Sequence, residues 1–186
     1  MLDRKISGEL IHNRIVIWNL EDSRLLFKNG FYGKPLGISK PKDLTFEVPL
    51  ILDLIETYYL SKKKKLNIYK EKITNKISNR KILDICKEQY IDFKEKFLVY
   101  SNLREKKLIV CPGIKFGCDF AVYKHGPGID HAPYLIEVKK EEDKITATEV
   151  VLSGRLATTV KKQFTLAIPD LKSKDVKFIS FDWWRA

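Results

Sequence analysis

Between Phe116 and Val138 two β-prone runs are separated by a forced break, and that spacing constrains what the rest of the chain can build. Phe120, Val122 and their neighbours form a short run that ends at Tyr123. Gly126, Pro127 and Gly128 then turn the chain. Tyr134, Leu135, Ile136 and Val138 begin a second run. A strand, loop and strand in this order put Tyr123 and His131 near one rim of one sheet. Two of the three histidines, His125 and His131, fall here. A phenol and an imidazole held close together can exchange protons with a single substrate.

Two strands do not make a core, but 186 residues suffice for one domain or two small ones. At 44% hydrophobic and 32% charged, the chain reads as a soluble globular protein rather than a disordered one. Its 35 basic against 24 acidic residues give a formal net charge of +11, which favours a polyanionic partner, nucleic acid before an acidic membrane. Cys86, Cys111 and Cys118 are odd in number and lack CxxC spacing, so free thiols are expected rather than a zinc site or a disulfide framework. Met1-Leu2-Asp3-Arg4-Lys5 leads straight into polar sequence, and the longest apolar run, Val48 to Ile55, is too short to span a bilayer. A cytoplasmic protein without a membrane segment is expected.

Taken in order, Lys5 to Asn19 alternates as a hairpin with its turn at Asn13-Arg14, and Leu25 to Phe27 reads as a further strand. The glycines and prolines between Gly30 and Pro41 make an exposed loop carrying Lys34, Lys40 and Lys42. Asp43 to Leu60 has helical periodicity, with Thr45 as a cap and Pro49 in the first turn. Lys62 to Lys65 reads as a solvated loop, and Ile68 to Asn79 as a polar connection. Helices follow at 80–89 and 93–107, then a strand at 108–110. After a charged turn at 139–143, Ile145 to Phe164 reads as one helix; strands at 165–168 and 176–184 close the chain. The expected class is α/β (α+β): a small N-terminal α/β domain, residues 1–75, and a C-terminal mixed-sheet domain with packed helices, residues 76–186.

Within the expected helix, Arg155 and Lys162 are seven residues apart, two turns, and so would share a face about 10 Å apart. Val151, Leu152, Leu156 and Val160 would face the core. Tyr, His and Lys without an obvious metal set suit metal-free RNA cleavage by the neighbouring 2′-hydroxyl. That reaction needs a base, an acid and a cation against the charge growing on phosphorus. Imidazole, with a pKa of ~6.5, suits the acid, and the Lys162 ammonium suits the cation. A phenol of pKa ~10 needs nearby positive charge to act as a base, which Lys124 or Lys162 would supply.

Three separated blocks then carry a resemblance: Tyr123-x-x-Gly126; Ile129-Asp130-His131-Ala132-Pro133-Tyr134-Leu135-Ile136-x-Val138; and Gly154-Arg155-x-Ala157-x-x-Val160-Lys161-Lys162. With Gly117-x-Asp119-Phe120 before them, they resemble the archaeal tRNA-splicing endonuclease family, in the form of a crenarchaeal catalytic subunit. The resemblance implies cleavage of precursor tRNA at both intron–exon junctions of a bulge–helix–bulge, leaving 2′,3′-cyclic phosphate and 5′-hydroxyl ends, with no cofactor. By match Tyr123 is the base, His131 the acid and Lys162 the transition-state cation. Arg155 matches an arginine that clamps a bulged base; Trp183, Trp184 or Arg185 would supply the other side of the clamp. Thr158-Thr159 stand where the family often has histidine and serine. The 33–42 loop, with Lys34 and Lys40, resembles a crenarchaeal insertion and is expected to touch RNA. The resemblance also implies a homodimer core within a homotetramer or a heterotetramer with a structural subunit. Lys172 and Lys174, inside the segment where self-docking members are acidic, favour the heteromer.

Two other readings compete. Asp119 with Glu137-Val138-Lys139 has the form of the D…ExK motif of magnesium-dependent restriction-type nucleases. A non-catalytic RNA-binding subunit of the same assembly is the other, although such a chain is expected to lack part of the Tyr/His/Lys set.

Overall fold

The computed structural model describes residues 4–38, 45–70, 74–129 and 131–182. The chain divides into two compact units, Met1–Phe93 and Lys94–Ala186. No described helix is long and apolar enough to cross a membrane.

In the first unit alternation drives β1 (Ile6–Ile11) and β2 (Arg14–Ile17) into an antiparallel hairpin. Its turn is His12-Asn13 rather than Asn13-Arg14: Ile11 pairs with Arg14, and His12 takes the positive φ of 52°. Leu25 to Phe27, expected as a strand, lies in α1 (Leu20–Lys28). The Asn19 side chain caps that helix by accepting the Asp22 N–H, and Leu26 and Phe27 turn inward beside Ser23. Three consecutive apolar residues fit either period; the cap decides.

The long helix expected from Asp43 is also corrected. Lys34–Pro35 forms β3, Leu50–Leu52 forms β4, and the helix α2 spans only Leu54–Lys62. Its cap is Asp53, not Thr45, in a reciprocal box in which Glu56 accepts the Asp53 N–H. Residues 68–70, expected as part of a polar connection, lie in the strand β5 (Leu66–Lys70), parallel to β1. β6 (Asn75–Lys76) returns beside it and leads into α3 (Asn79–Gln89). The sheet order is β3-β4-β2-β1-β5-β6. Ile6, Ile15, Ile17, Leu50, Leu52 and Ile68 are fully buried in its core, at ~1.5–3 kcal/mol each.

The second unit holds all but the first residue of α4 (Phe93–Glu105), then β7 (Ile109–Pro112). Arg104 joins them from a buried position: Nε donates to the Tyr100 hydroxyl at 2.8 Å, and a terminal nitrogen donates to the Val110 carbonyl at 3.1 Å. A 3₁₀ turn at Ile114–Phe116 precedes β8 (Phe120–Tyr123) and β9 (Tyr134–Val138). α5 runs from Ala147 to Thr159, followed by β10 (Gln163–Pro169) and β11 (Val176–Phe181). The sheet order is β11-β10-β9-β8-β7; β10 is parallel to β9 and every other pair is antiparallel. Both units mix helices with a mixed sheet, so the class is α+β with an N-terminal and a C-terminal domain.

Candidate active site

Topology sets the rim. β8 runs antiparallel to β9, and β9 runs parallel to β10. The C-terminal end of β8 and the N-terminal ends of β9 and β10 therefore share one edge of the sheet. Tyr123 is the last residue of β8, His131 precedes β9 by three positions, and Lys162 immediately precedes β10. The register agrees: Val122 pairs with Tyr134, and Tyr134 pairs with Gln163, so the row of Tyr123 lies one step outward.

Tyr123 is half-buried against a cluster of Ala121, Ala132, Leu135, Ala157, Phe164 and Leu166. Packing on this scale restrains the ring. Lys162 is held from three sides. Its backbone N–H donates to the Ala157 carbonyl at 2.8 Å, and the next N–H, of Gln163, donates to the Pro133 carbonyl at 2.8 Å. Its ammonium donates to the Ala132 carbonyl at 2.9 Å and sits 5.4 Å from the centre of the Phe116 ring. Ala132 adjoins His131, so this hydrogen bond links the lysine to the histidine segment. Lys161, its neighbour, is exposed in left-handed backbone (φ 55°).

Two sequence expectations fail here. α5 ends at Thr159 with Val160 as its cap, so Lys162 is not on the helix and shares no helical face with Arg155. The β-branched run Thr158-Thr159-Val160 weakens the last turn, and the left-handed Lys161 stops it. Nor do Val151, Leu152 and Leu156 face the core: they are 43%, 60% and 45% exposed. The buried side of α5 is Gly154 and Ala157, small residues that let the helix lie close on the sheet. Arg155 is exposed on α5, and Lys34 is exposed on β3. Lys40, Lys42, Asp130, Trp183, Trp184 and Arg185 lie outside the described residues.

Phe116 is the residue whose contact with Lys162 sequence reasoning missed, although it stands at the head of the Phe116–Val138 stretch. Its turn is built tightly. A Cβ on Gly113 would lie 2.6 Å from the Cys118 sulfur and 2.7 Å from its carbonyl oxygen. The Cys118 thiol donates to the carbonyls of Gly113 and Phe120. Burial, with the charges of Glu137 and Asp119, pushes that thiol up to about 12.

The D…ExK residues are engaged in pairs. One Asp119 oxygen meets the Lys96 ammonium at 2.7 Å, and the other accepts the Val138 N–H at 2.8 Å. Glu137 pairs with Lys139 at 3.3 Å. Among the described residues no three His, Cys, Asp or Glu side chains converge as a metal set.

Comparison with known proteins follows this division. Residues 6–83 match the model of the tRNA intron endonuclease N-terminal domain, and residues 93–178 match that of its catalytic C-terminal domain. A tRNA-splicing endonuclease of Sulfurisphaera tokodaii is 42% identical over 177 residues, covering 95% of this chain and 97% of the relative. One of Saccharolobus solfataricus is 40% identical over 179 residues, 96% of this chain and 98% of the relative. One of Hyperthermus butylicus is 36% identical over 178 residues, with 96% and 98% covered. The class is therefore an RNA-processing endonuclease built of two α+β domains. The chain belongs to the tRNA intron endonuclease family.

Proposed function

We propose that this chain cleaves precursor tRNA at both intron–exon junctions of a bulge–helix–bulge without a metal, leaving 2′,3′-cyclic phosphate and 5′-hydroxyl ends. The observation that carries the reading is the hydrogen bond from the Lys162 ammonium to the Ala132 carbonyl, one residue from His131. It adds to a topology in which the ends of β8, β9 and β10 that carry Tyr123, His131 and Lys162 share one edge.

In this mechanism Tyr123 takes the 2′-hydroxyl proton, and the 2′-oxygen attacks phosphorus. His131, as imidazolium, returns a proton to the departing 5′-oxygen. Lys162 stabilises the charge gathering on the phosphoryl oxygens, using ammonium hydrogens that Ala132 leaves unused. A phenol of pKa ~10 is ionised in only about one molecule in a thousand at pH 7. As a base Tyr123 therefore needs positive charge nearby, a role that this reading gives to Lys124 or Lys162.

Arg155 stacks on a bulged base, with Trp184 or Arg185 opposite; Lys34 and Lys40 contact the RNA backbone. Two junctions require two active sites, so the working form has a homodimer core, in the cytoplasm; between a homotetramer and a heterotetramer with a structural subunit, Lys172 and Lys174 favour the heterotetramer. Asp119 spends both oxygens on Lys96 and Val138, which supports a structural pin over a magnesium ligand.

The test is cleavage of an end-labelled precursor tRNA by the purified assembly. His131→Ala lowers the rate by about 10²–10⁴ and leaves RNA affinity unchanged. Wild-type cleavage persists in EDTA. Activity surviving His131→Ala, or wild-type activity lost to EDTA, overturns the reading.

A further inference from the structure

The charge of this chain is concentrated. Residues 62–81 hold nine lysines and arginines and one acidic residue, a net +8 of the chain's +11. In sequence the run Lys62 to Lys65 reads as a solvated loop, and Arg80-Lys81 as the start of an ordinary helix. The fold brings them together. The Ser61 hydroxyl donates to the Asn79 side chain at 2.5 Å, which ties the last turn of α2 to the first residue of α3. The lysine run therefore leaves α2 beside the point where Arg80 and Lys81 enter α3.

Stability does not account for these cations together. Lys62, in the last turn of α2, suits the negative end of that helix. The Lys62 and Lys63 ammoniums lie 5.8 and 5.7 Å from the Tyr58 and Tyr59 ring centres, which restrains them. Lys64 occupies a left-handed position (φ 59°) that glycine or asparagine fills at less strain. Arg80 and Lys81 stand in the first turn of α3, at its positive end, where an acidic side chain is favoured and none is present. Among the described residues no carboxylate is ion-paired with Lys64, Lys65, Arg80 or Lys81; Asp84 is the nearest acid along α3, one turn away. Like charges gathered at such cost to local preference suit a partner that brings negative charge in series.

We propose that the corner formed by the end of α2 and the start of α3 is an RNA-backbone docking surface. It takes phosphates of the precursor tRNA from the N-terminal unit. Among the described residues of 62–81 none is an exposed large apolar side chain, which disfavours an apolar protein interface or membrane insertion. The choice of RNA rests on the cleavage reading above; the cation cluster itself does not.

The full chain, in its native assembly, is titrated with precursor tRNA across a potassium chloride series. Lys64→Gln/Arg80→Gln/Lys81→Gln raises Kd about tenfold at 0.1 M salt. It also lowers the slope of log K against log salt by about 2.7, three contacts at ~0.9 per lost duplex phosphate contact. kcat and melting temperature stay at wild-type values. Lys64→Arg/Arg80→Lys/Lys81→Arg, which keeps the charge, restores both Kd and slope. An unchanged Kd and salt slope in the glutamine variant overturns the proposal. So does an altered assembly mass with unaltered RNA affinity, which would assign the corner to an acidic protein partner. If the wild type binds precursor tRNA through this corner but does not cleave it, the cleavage reading fails and the docking surface stands.

Discussion

At the scale of single residues, the adjacent Lys161 and Lys162 show what backbone does to chemistry. In sequence either reaches phosphate. In the fold Lys161 takes the left-handed, exposed position, and Lys162 directs its ammonium to the Ala132 carbonyl beneath the Phe116 ring. Lys162→Ala therefore lowers kcat by about 10²–10³, the scale of one lost charge-stabilising donor. Lys161→Ala leaves kcat within about twofold. Phe116→Leu keeps an apolar side chain but removes the aromatic face; a cation–π contact of about 0.5–2 kcal/mol predicts a kcat roughly 2–30-fold lower. Phe116→Tyr preserves activity. Single-turnover cleavage rates measure all four variants, and equal rates for Lys161→Ala and Lys162→Ala would contradict the assignment.

Among elements, what was legible in sequence depended on whether a local signal stood alone. The β8–β9 hairpin was legible because Gly126-Pro127-Gly128 interrupts two β-prone runs. α3 and α4 were legible because their periodicity runs over 11 and 13 residues. α1 was misread because Leu25-Leu26-Phe27 has no period of its own and its cap is the distant Asn19. β5 was hidden because its alternation spans four residues between lysines, and only its pairing with β1 makes it a strand. The end of α5 failed for a related reason: nothing local says that Gln163 must reach Pro133 to start β10. Its beginning is clearer and testable. The Thr146 hydroxyl accepts the Glu149 N–H at 3.2 Å, and Glu149 accepts the Thr146 N–H at 2.7 Å. The backbone hydrogen bond from Thr146, then that from its hydroxyl, hold the Glu149 carboxyl below its usual range. A depressed carboxyl stabilises above its unfolded pKa of ~4.3 and loses that contribution as pH falls through the lower folded value. Thr146→Ala costs about 1 kcal/mol at pH 7, and the difference from wild type narrows as the solution is acidified below pH 4. Denaturant melts at pH 7 and pH 3 check it; a constant difference would show that the carboxyl is not part of the cap.

For the whole molecule, the two units carry one matched internal probe each. Cys86 is in the first unit and Cys118 in the second, and neither is in a disulfide. Burial pushes the Cys86 thiol up to about 12, with the Asp53 charge adding to it. Burial does the same to Cys118, again to about 12, with Glu137 and Asp119 adding. An unfolded thiol titrates at ~8.5. Between these values the unfolded chain has released a proton that the native unit still binds, so native stability falls as pH rises. Each thiol contributes a slope of about 1.4 kcal/mol per pH unit over that window and nothing below it. Lysines and tyrosines titrate in the same range, so the informative quantity is a difference between proteins. Cys118→Ala removes a partly buried sulfur and destabilises the second unit at pH 7, yet it flattens the decline above pH 9 for that unit alone. Cys86→Ala does so for the first. Because the units need not unfold together, each is followed by its own probe. Exchange of the β1–β2 amides reports the first, and exchange of the β8–β9 amides reports the second. A single common slope, unchanged by either substitution, would mean that the thiols are not held neutral by the native packing.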